Sequence, residues 1–206
     1  DGFTLGPVNA ESSLKDPKHL LFTLARYKFA AKMLLKAKHI IEVGCGEGLG
    51  TLMFLSETSA AVTAIDFDER QIACAQKNIV PKAGGRISFV CCDLVSSAYV
   101  GPKGDGLVCL DVIEHIHPKE EQRFYDHVAG AMRKGAVAVF GTPNKDASKY
   151  ASPRSRVGHI NLFDADRLRK TLGKNFSQVF IFSMNDEMVH TGYARMAHYL
   201  MALCIK

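Results

Sequence analysis

The stretch Ile40-Ile41-Glu42-Val43-Gly44-Cys45-Gly46-Glu47-Gly48-Leu49-Gly50 constrains this chain more than any other. A short apolar run ends in alternating glycines and leads directly into the apolar-rich segment Thr51–Glu57. That pattern predicts a buried strand, a tight turn and a helix N-terminus. Gly44, Gly46 and Gly48 remove Cβ atoms from the turn, so a ligand can lie directly against the backbone. The spacing G-x-G-x-G differs from the dinucleotide fingerprint G-x-G-x-x-G, whose third glycine serves the pyrophosphate at the helix start. Glu42 also precedes the glycines, where a carboxylate would repel a pyrophosphate but suit a ligand carrying a cationic amine.

Before this stretch, residues 1–17 read as an extended lead-in with Gly6, Pro7 and Pro17. Lys18–Lys36 follows with helical spacing of Leu20, Leu24, Tyr27, Ala30 and Leu34, and Arg26, Tyr27 and Lys28 read as its solvated face. After it, strand-like and helix-like runs alternate. Ala61–Asp66 is a second strand ending in an acid, and Glu69–Val80 is the next helix. Arg86–Leu94 carries a third strand ending at Asp93, and Gly106–Leu110 a fourth that runs into Asp111-Val112-Ile113-Glu114-His115-Ile116-His117. Lys119–Met132 is helical and Ala136–Phe140 is a fifth strand. The polar run 145–158 has the composition of a mobile loop. Asp164 is placed to cap a helix reaching Leu172, and Gln178–Met184 is a further strand. The tail Tyr193–Ile205 fits helix or strand equally. The alternation predicts a single α/β domain over residues 1–206, with a mostly parallel, doubly wound sheet and helices on both faces.

At 206 residues the chain is long enough for one substantial core. The net charge of +5 is small, and Lys and Arg are dispersed rather than striped, which argues against nucleic acid as a partner. Six cysteines show no C-x-x-C pair and read as reduced thiols in a cytoplasmic setting. No apolar run approaches the ~18 residues of a membrane span, and no signal peptide is visible. The chain opens on Asp1, so a trimmed N-terminal piece is expected.

Asp66 stands about 20 residues beyond the glycine turn, where an acid at the second strand's end can accept both hydroxyls of an adenosine ribose. Taken with Glu42-Val43-Gly44-Cys45-Gly46-Glu47-Gly48, Asp93-Leu94 and Asp111-Val112-Ile113-Glu114-His115, this order of motifs resembles the class I S-adenosylmethionine-dependent methyltransferases over roughly Ile40–Phe182. The resemblance implies a Rossmann-like, seven-stranded sheet with an antiparallel final hairpin, its last strand supplied by the C-terminal tail. It divides the chain into a lead-in and helix (1–36), a cofactor half (37–144) and an acceptor half (145–206). It implies S-adenosylmethionine as cofactor, with Gly44, Cys45 and Gly46 under the amino acid part and Glu42 near the ammonium. Asp66 would hold the ribose with Phe67 beside it, Asp93 and Leu94 would meet the adenine, and Leu110 and Asp111 would pass the methionine moiety.

A sulfonium methyl is already activated, so the enzyme's task is to hold the acceptor in line and remove a proton where the nucleophile carries one. Glu114, His115 and His159 are the candidate catalytic residues. Asp111-x-x-Glu114-His115, with His159 about 44 residues later, is similar to the acid-x-x-Glu-His plus distant His set of small-RNA 2′-O-methyltransferases and some ubiquinone-type O-methyltransferases. In those a divalent ion grips the acceptor hydroxyls, which makes Asp111, Glu114, His115 and His159 a candidate metal set; mixed N/O ligation does not fix the ion. Arg154 and Arg156 precede His159 and could clamp an acceptor phosphate or carboxylate. The expected activity is methyl transfer to oxygen on a small polar acceptor, such as a sugar, a phosphorylated metabolite or a phenol. The alternatives are a metal-dependent RNA 2′-O-methyltransferase, a non-catalytic S-adenosylmethionine-binding domain, and a nicotinamide dehydrogenase, which Glu42 and the glycine spacing oppose.

Overall fold

The computed structural model describes residues 5–79 and 83–206, apart from the side chains of residues 153 and 154. Its strands are β1 (His39–Val43), β2 (Ala61–Asp66), β3 (Ile87–Cys91), β4 (Gly104–Leu110), β5 (Met132–Pro143), β6 (Gln178–Asn185), β7 (Met188–His190) and β8 (Tyr199–Ile205). They form one sheet in the order β3-β2-β1-β4-β5-β8-β6-β7. The first five are parallel, and β8 inserts antiparallel between β5 and β6. The helices are α1 (Pro7–Lys15), α2 (Pro17–Met33), α3 (Thr51–Glu57), α4 (Glu69–Ile79), α5 (Glu121–Gly130), α6 (Pro153–Gly158) and α7 (Ala165–Leu172).

Successive strand residues alternate between two cores. Ile40, Val62, Val108 and Met201 pack with Tyr27 and Ala30 of α2, Leu34 just after it, Phe54 of α3 and Ile72 of α4. Ile41, Ile65, Leu107, Cys109 and Phe140 pack with Phe124 and Val128 of α5 and Leu168 and Leu172 of α7. Burial on both faces explains why these strands read as continuous apolar runs rather than alternating ones. The strand order reverses between β1 and β4, and the crevice at their carboxyl ends is where open α/β sheets hold ligands.

Four expectations change. The sheet has eight strands, not seven: the polar segment after β6 turns through Asp186, at φ 50°, and pairs back as β7, with Asn185 opposite Met188. Residues 7–15 are helical rather than extended, because Pro7 and Pro17 each open a helix, where the missing N–H costs nothing. The stretch 145–158 is built from a 3₁₀ turn (Lys145–Tyr150) and α6, capped by Asn144 and Ser152. Arg26 and Tyr27 are buried, so the face of α2 that read as solvated is turned into the protein, while Lys28 is exposed. The tail resolves as β8, as the resemblance implied. Val80, the expected end of the α4 helix, lies outside the described residues. Asp164 caps α7, accepting from the Arg167 N–H at 2.9 Å.

Candidate functional site

The glycine turn after β1 is held from three sides. Gly44 and Cys45 donate their N–H groups to the Ile65 carbonyl at 2.8 and 3.1 Å. Gly46 donates to Asp66 Oδ2 at 2.8 Å, and Asp66 Oδ1 accepts from the Asp68 N–H at 3.0 Å. Gly44 sits at φ 76°, and a Cβ there would stand 2.2 Å from Val112 Cγ2. No L side chain fits that position, so the loops after β1 and β4 touch directly at the switch point. A cavity of about 150 Å³ lies over the turn, lined in part by Tyr27, Gly44, Cys45, Gly46, Leu110 and Asp111.

Glu42 is fully buried beneath this turn. Its Oε2 accepts from the Thr51 hydroxyl at 2.5 Å, and Oε1 has no hydrogen-bond partner among the described residues. Burial, with the nearby charge of Asp66 behind it, pushes its carboxyl up to about 7 against the hydroxyls of Thr51 and Tyr27. A cation delivered to this carboxylate would replace solvent it has lost.

The opposite wall holds an ion pair that the sequence reading did not contain. Arg26 Nη1 donates to both oxygens of Asp111, at 3.0 and 2.9 Å, and its guanidinium lies 3.8 Å from the centroid of the Tyr199 ring. Asp111 has φ 56°, a left-handed conformation that costs a non-glycine residue energy and is held here by Arg26. The sequence signal was present as the adjacent Arg26-Tyr27 pair on a helix otherwise packed by Ala30, Ala31 and Leu34. A buried Arg needs an acid, and Asp111 is that acid.

Beyond Asp111 the chain makes a 3₁₀ turn, Ile113–His115. Glu114 is fully buried, with Oε2 accepting from the Thr142 hydroxyl at 3.0 Å and Oε1 unpartnered among the described residues. Burial first, and the negative charge of Asp111 second, push its carboxyl up to about 8. His115 Nδ1 is 2.9 Å from the Gly158 carbonyl. A carbonyl only accepts, so Nδ1 carries the proton and Nε2 of the neutral ring is the basic atom. The His159 ring stands edge-on to His115 with centroids 5.1 Å apart, and burial plus the neighbouring imidazole lower its pKa. The Asn161 N–H on the Glu114 carbonyl, and the Asn161 side chain between Glu121 and Arg167, fasten the His159 segment to this turn.

Glu114, His115 and His159 therefore form one cluster, with a potential ligand atom from each within 4.8 Å of the others. Asp111 is not in it, because both its oxygens are engaged by Arg26. Donor set and orphaned Glu114 Oε1 fit a divalent ion held by three side chains rather than four. Of the remaining expected residues, Asp93 is exposed and caps its own turn through Val95 and Ser96. Phe67 is exposed at the end of β2, whereas Leu94 is buried in the core. Arg156 braces its own loop, donating to the Ala151 and Lys149 carbonyls at 3.1 and 3.0 Å. The Arg154 side chain lies outside the described residues.

Residues 40–135 match the family model described as a methyltransferase domain. The ubiquinone biosynthesis O-methyltransferase of Coxiella burnetii is 28% identical over 134 residues, covering 65% of this chain and 56% of that protein. The magnesium-protoporphyrin O-methyltransferase of a Synechocystis strain is 26% identical over 145 residues, 66% of this chain and 61% of that one. This chain thus spans little more than half the length of these relatives. The fold matches the plantazolicin methyltransferase BpumL, solved in complex with SAH, with a TM-score of 0.71 at 15% identity over 97% of this chain and 88% of that one. Motif order, strand order and the match over residues 40–135 converge on one likeness: the chain resembles the class I S-adenosylmethionine-dependent methyltransferases.

Proposed function

We propose that this domain transfers the methyl group of S-adenosylmethionine to a hydroxyl of a small acceptor. The observation that carries the reading is the position of the Glu114–His115–His159 cluster, one turn beyond Asp111 and so next to the cavity over the glycine turn. Glu42, unpartnered at Oε1, suits the cofactor's ammonium, and Arg26 is the buried cation available to its carboxylate. Asp66 would accept the ribose hydroxyls while keeping the Gly46 N–H, since a carboxylate has acceptor capacity beyond two bonds. Phe67 and Asp93, both exposed at neighbouring strand ends, would meet the adenine.

On the acceptor side, His115 Nε2 would take the hydroxyl proton, and bound S-adenosylmethionine would supply the activated methyl group that the oxygen accepts. The Gly158 carbonyl stabilises the resulting imidazolium through Nδ1–H. Val157 and Ile160, which flank His159 in the chain, are exposed. They favour an acceptor with an apolar or aromatic body, so of the expected classes a phenol fits better than a sugar or a phosphorylated metabolite. The O-methyltransferase names of the two relatives support oxygen as the acceptor atom.

A second reading adds a divalent ion on Glu114, His115 and His159. It would act as a Lewis acid and lower the pKa of the acceptor hydroxyl. The orphaned Glu114 Oε1 favours it. A reducing, cytoplasmic compartment is proposed on the six free cysteines. Among the described residues no helix is long and apolar enough to cross a membrane.

The test is calorimetric titration of S-adenosylhomocysteine, followed by methyl transfer to a panel of catechols with and without EDTA. Binding with turnover supports the reading, and EDTA sensitivity adds the ion. A protein that binds neither S-adenosylhomocysteine nor S-adenosylmethionine would refute it.

A further inference from the structure

Glu47 belongs to the glycine turn, yet no cofactor or acceptor role above uses it. It is only 5% exposed. Its Oε1 accepts the Val8 N–H at 2.9 Å, and its Oε2 accepts both the Asn9 N–H at 2.9 Å and the Asn9 side-chain amide at 2.8 Å. One carboxylate therefore satisfies first-turn donors that a helix leaves open, with its charge at the positive end of α1. The fit is close: a Cβ on Gly6 would stand 2.2 Å from Glu47 Cδ.

Besides this clamp α1 makes shallow contact with α2. It buries no side chain, and Val8 and Leu14 are 48% and 85% exposed. Val8 and Asn9 nevertheless line the cavity over the glycine turn, across from Gly44, Leu110 and Asp111. The cavity of about 150 Å³ is open to solvent and is smaller than the roughly 300–1,000 Å³ that ligand pockets occupy. A cofactor laid along the turn would lie against the part of the wall that α1 supplies. Tyr27, Leu110 and the turn itself are fixed in the core, and α1 is not.

Resting on the cofactor reading above, we propose that α1 is a lid over the amino acid end of the cofactor site and that Glu47 is the positioning residue that latches it. Because the latch is part of the turn that the cofactor lies on, lid position and turn geometry are mechanically joined. Opening breaks three hydrogen bonds to one carboxylate, and closure restores them around the bound ligand. The latch therefore sets how fast cofactor and product exchange.

Two measurements on the intact chain test this. In the ligand-free protein, Glu47→Gln replaces one acceptor oxygen with a donor that faces an N–H. Amide exchange at Val8 and Asn9 is then expected to accelerate ~10–100-fold, the worth of a charge-assisted hydrogen bond. Asn9→Ala, which loses only the side-chain bond, gives a smaller rise and guards against a folding defect in the first variant. In stopped-flow displacement, S-adenosylhomocysteine should leave Glu47→Gln about tenfold faster than wild type. Unchanged α1 exchange in both variants overturns the latch, and loosened α1 with unchanged release overturns the lid. Failure of wild type to bind S-adenosylhomocysteine at all would instead overturn the cofactor reading, and the exchange data would still decide the latch.

Discussion

Glu42 and Glu114 stand on the two sides of the site and are built alike. Each is fully buried, each accepts one threonine hydroxyl, and each leaves Oε1 without a partner among the described residues. They differ in what carries them. Glu42 lies within β1, paired to Ala64 on one side and Val108 on the other, so its backbone has no freedom to respond to chemistry. Glu114 lies in a one-turn 3₁₀ segment, next to His115 and in reach of His159. Desolvation raises both carboxyls, but Glu114 goes further, to about 8 rather than 7, with Asp111 as its like-charged neighbour. On the proposed reading, the acid in the strand is a rigidly placed group for cofactor binding, and the acid in the turn beside imidazoles is part of the reactive unit.

The strongest test of that division is to exchange the losses. His115→Ala removes the proposed base and should lower turnover ~10²–10⁴-fold. Glu114→Gln should lower turnover in the same direction, with S-adenosylhomocysteine affinity held within about threefold in both, under 1 kcal/mol. Glu42→Gln should do the reverse and weaken S-adenosylhomocysteine ~10-fold or more, the loss of a charge-assisted contact. Calorimetry beside a methyl-transfer assay reads both. Equal losses of binding in Glu42→Gln and Glu114→Gln would erase the distinction.

How far this was legible in the sequence follows the same line. The parallel half of the sheet announced itself because apolar runs ending in Gly44 and the acids Asp66 and Asp93 leave few alternatives. The acceptor cluster was legible as residue types, since Glu114 and His115 are adjacent and His159 follows at a telling distance. Its internal selection was not. Only three dimensions show that Asp111 is engaged by Arg26, because the two are 85 residues apart and meet through the reversed strand order. The helix α1 was missed for a local reason: Gly6-Pro7 reads as a breaker, and only the Glu47 clamp shows it to be a start. The edge strand β7 depends on Asp186 accepting a positive φ, which sequence favours weakly.

The pH dependence of stability separates the two glutamates by range. Both fold with raised carboxyls, so between pH 4.5 and the folded value the unfolded chain has released a proton that the native state keeps. Stability is therefore greatest below about 4.5 and falls as pH rises, at about 1.4 kcal/mol per unit for each group while it titrates. The Glu42 contribution should end near pH 7 and that of Glu114 near pH 8. Denaturant midpoints across pH 5–9 should fall in wild type, and each Gln variant should gain a few kcal/mol relative to it at pH 8. A Glu114→Gln curve still falling as steeply between pH 7 and 8 would place that titration elsewhere.

Arg26→Ala probes the wall between the two glutamates. Breaking a buried ion pair costs about 3–5 kcal/mol, but the Asp111 side chain is 36% exposed and solvent recovers part of that. A loss of roughly 2 kcal/mol is expected by urea titration, with Asp111 free to leave its strained conformation. Arg26→Lys should restore charge without the fork or the stacking on Tyr199 and recover less than half. Full recovery by Lys would show that charge alone holds Asp111.

The smallest effects are the most discriminating, because they touch the glutamates only through their hydroxyl partners. Thr51→Val and Thr142→Val are near-isosteric, and each removes a single hydrogen bond worth about 1–2 kcal/mol from a buried carboxyl. Both threonines are fully buried, so the two losses of stability should be similar. Function should separate them. Losing the Thr142 hydroxyl frees the Glu114 carboxyl to rotate and raises its pKa further, which changes turnover and leaves S-adenosylhomocysteine affinity alone. Losing the Thr51 hydroxyl does the same to Glu42, and the change appears in affinity while turnover at saturating cofactor is kept. Thr→Ser at either position keeps the hydroxyl and should recover most of the lost function. Two substitutions with one chemistry and matched stability costs would then report two functions, and the difference would belong to the strand and the turn that present the acids.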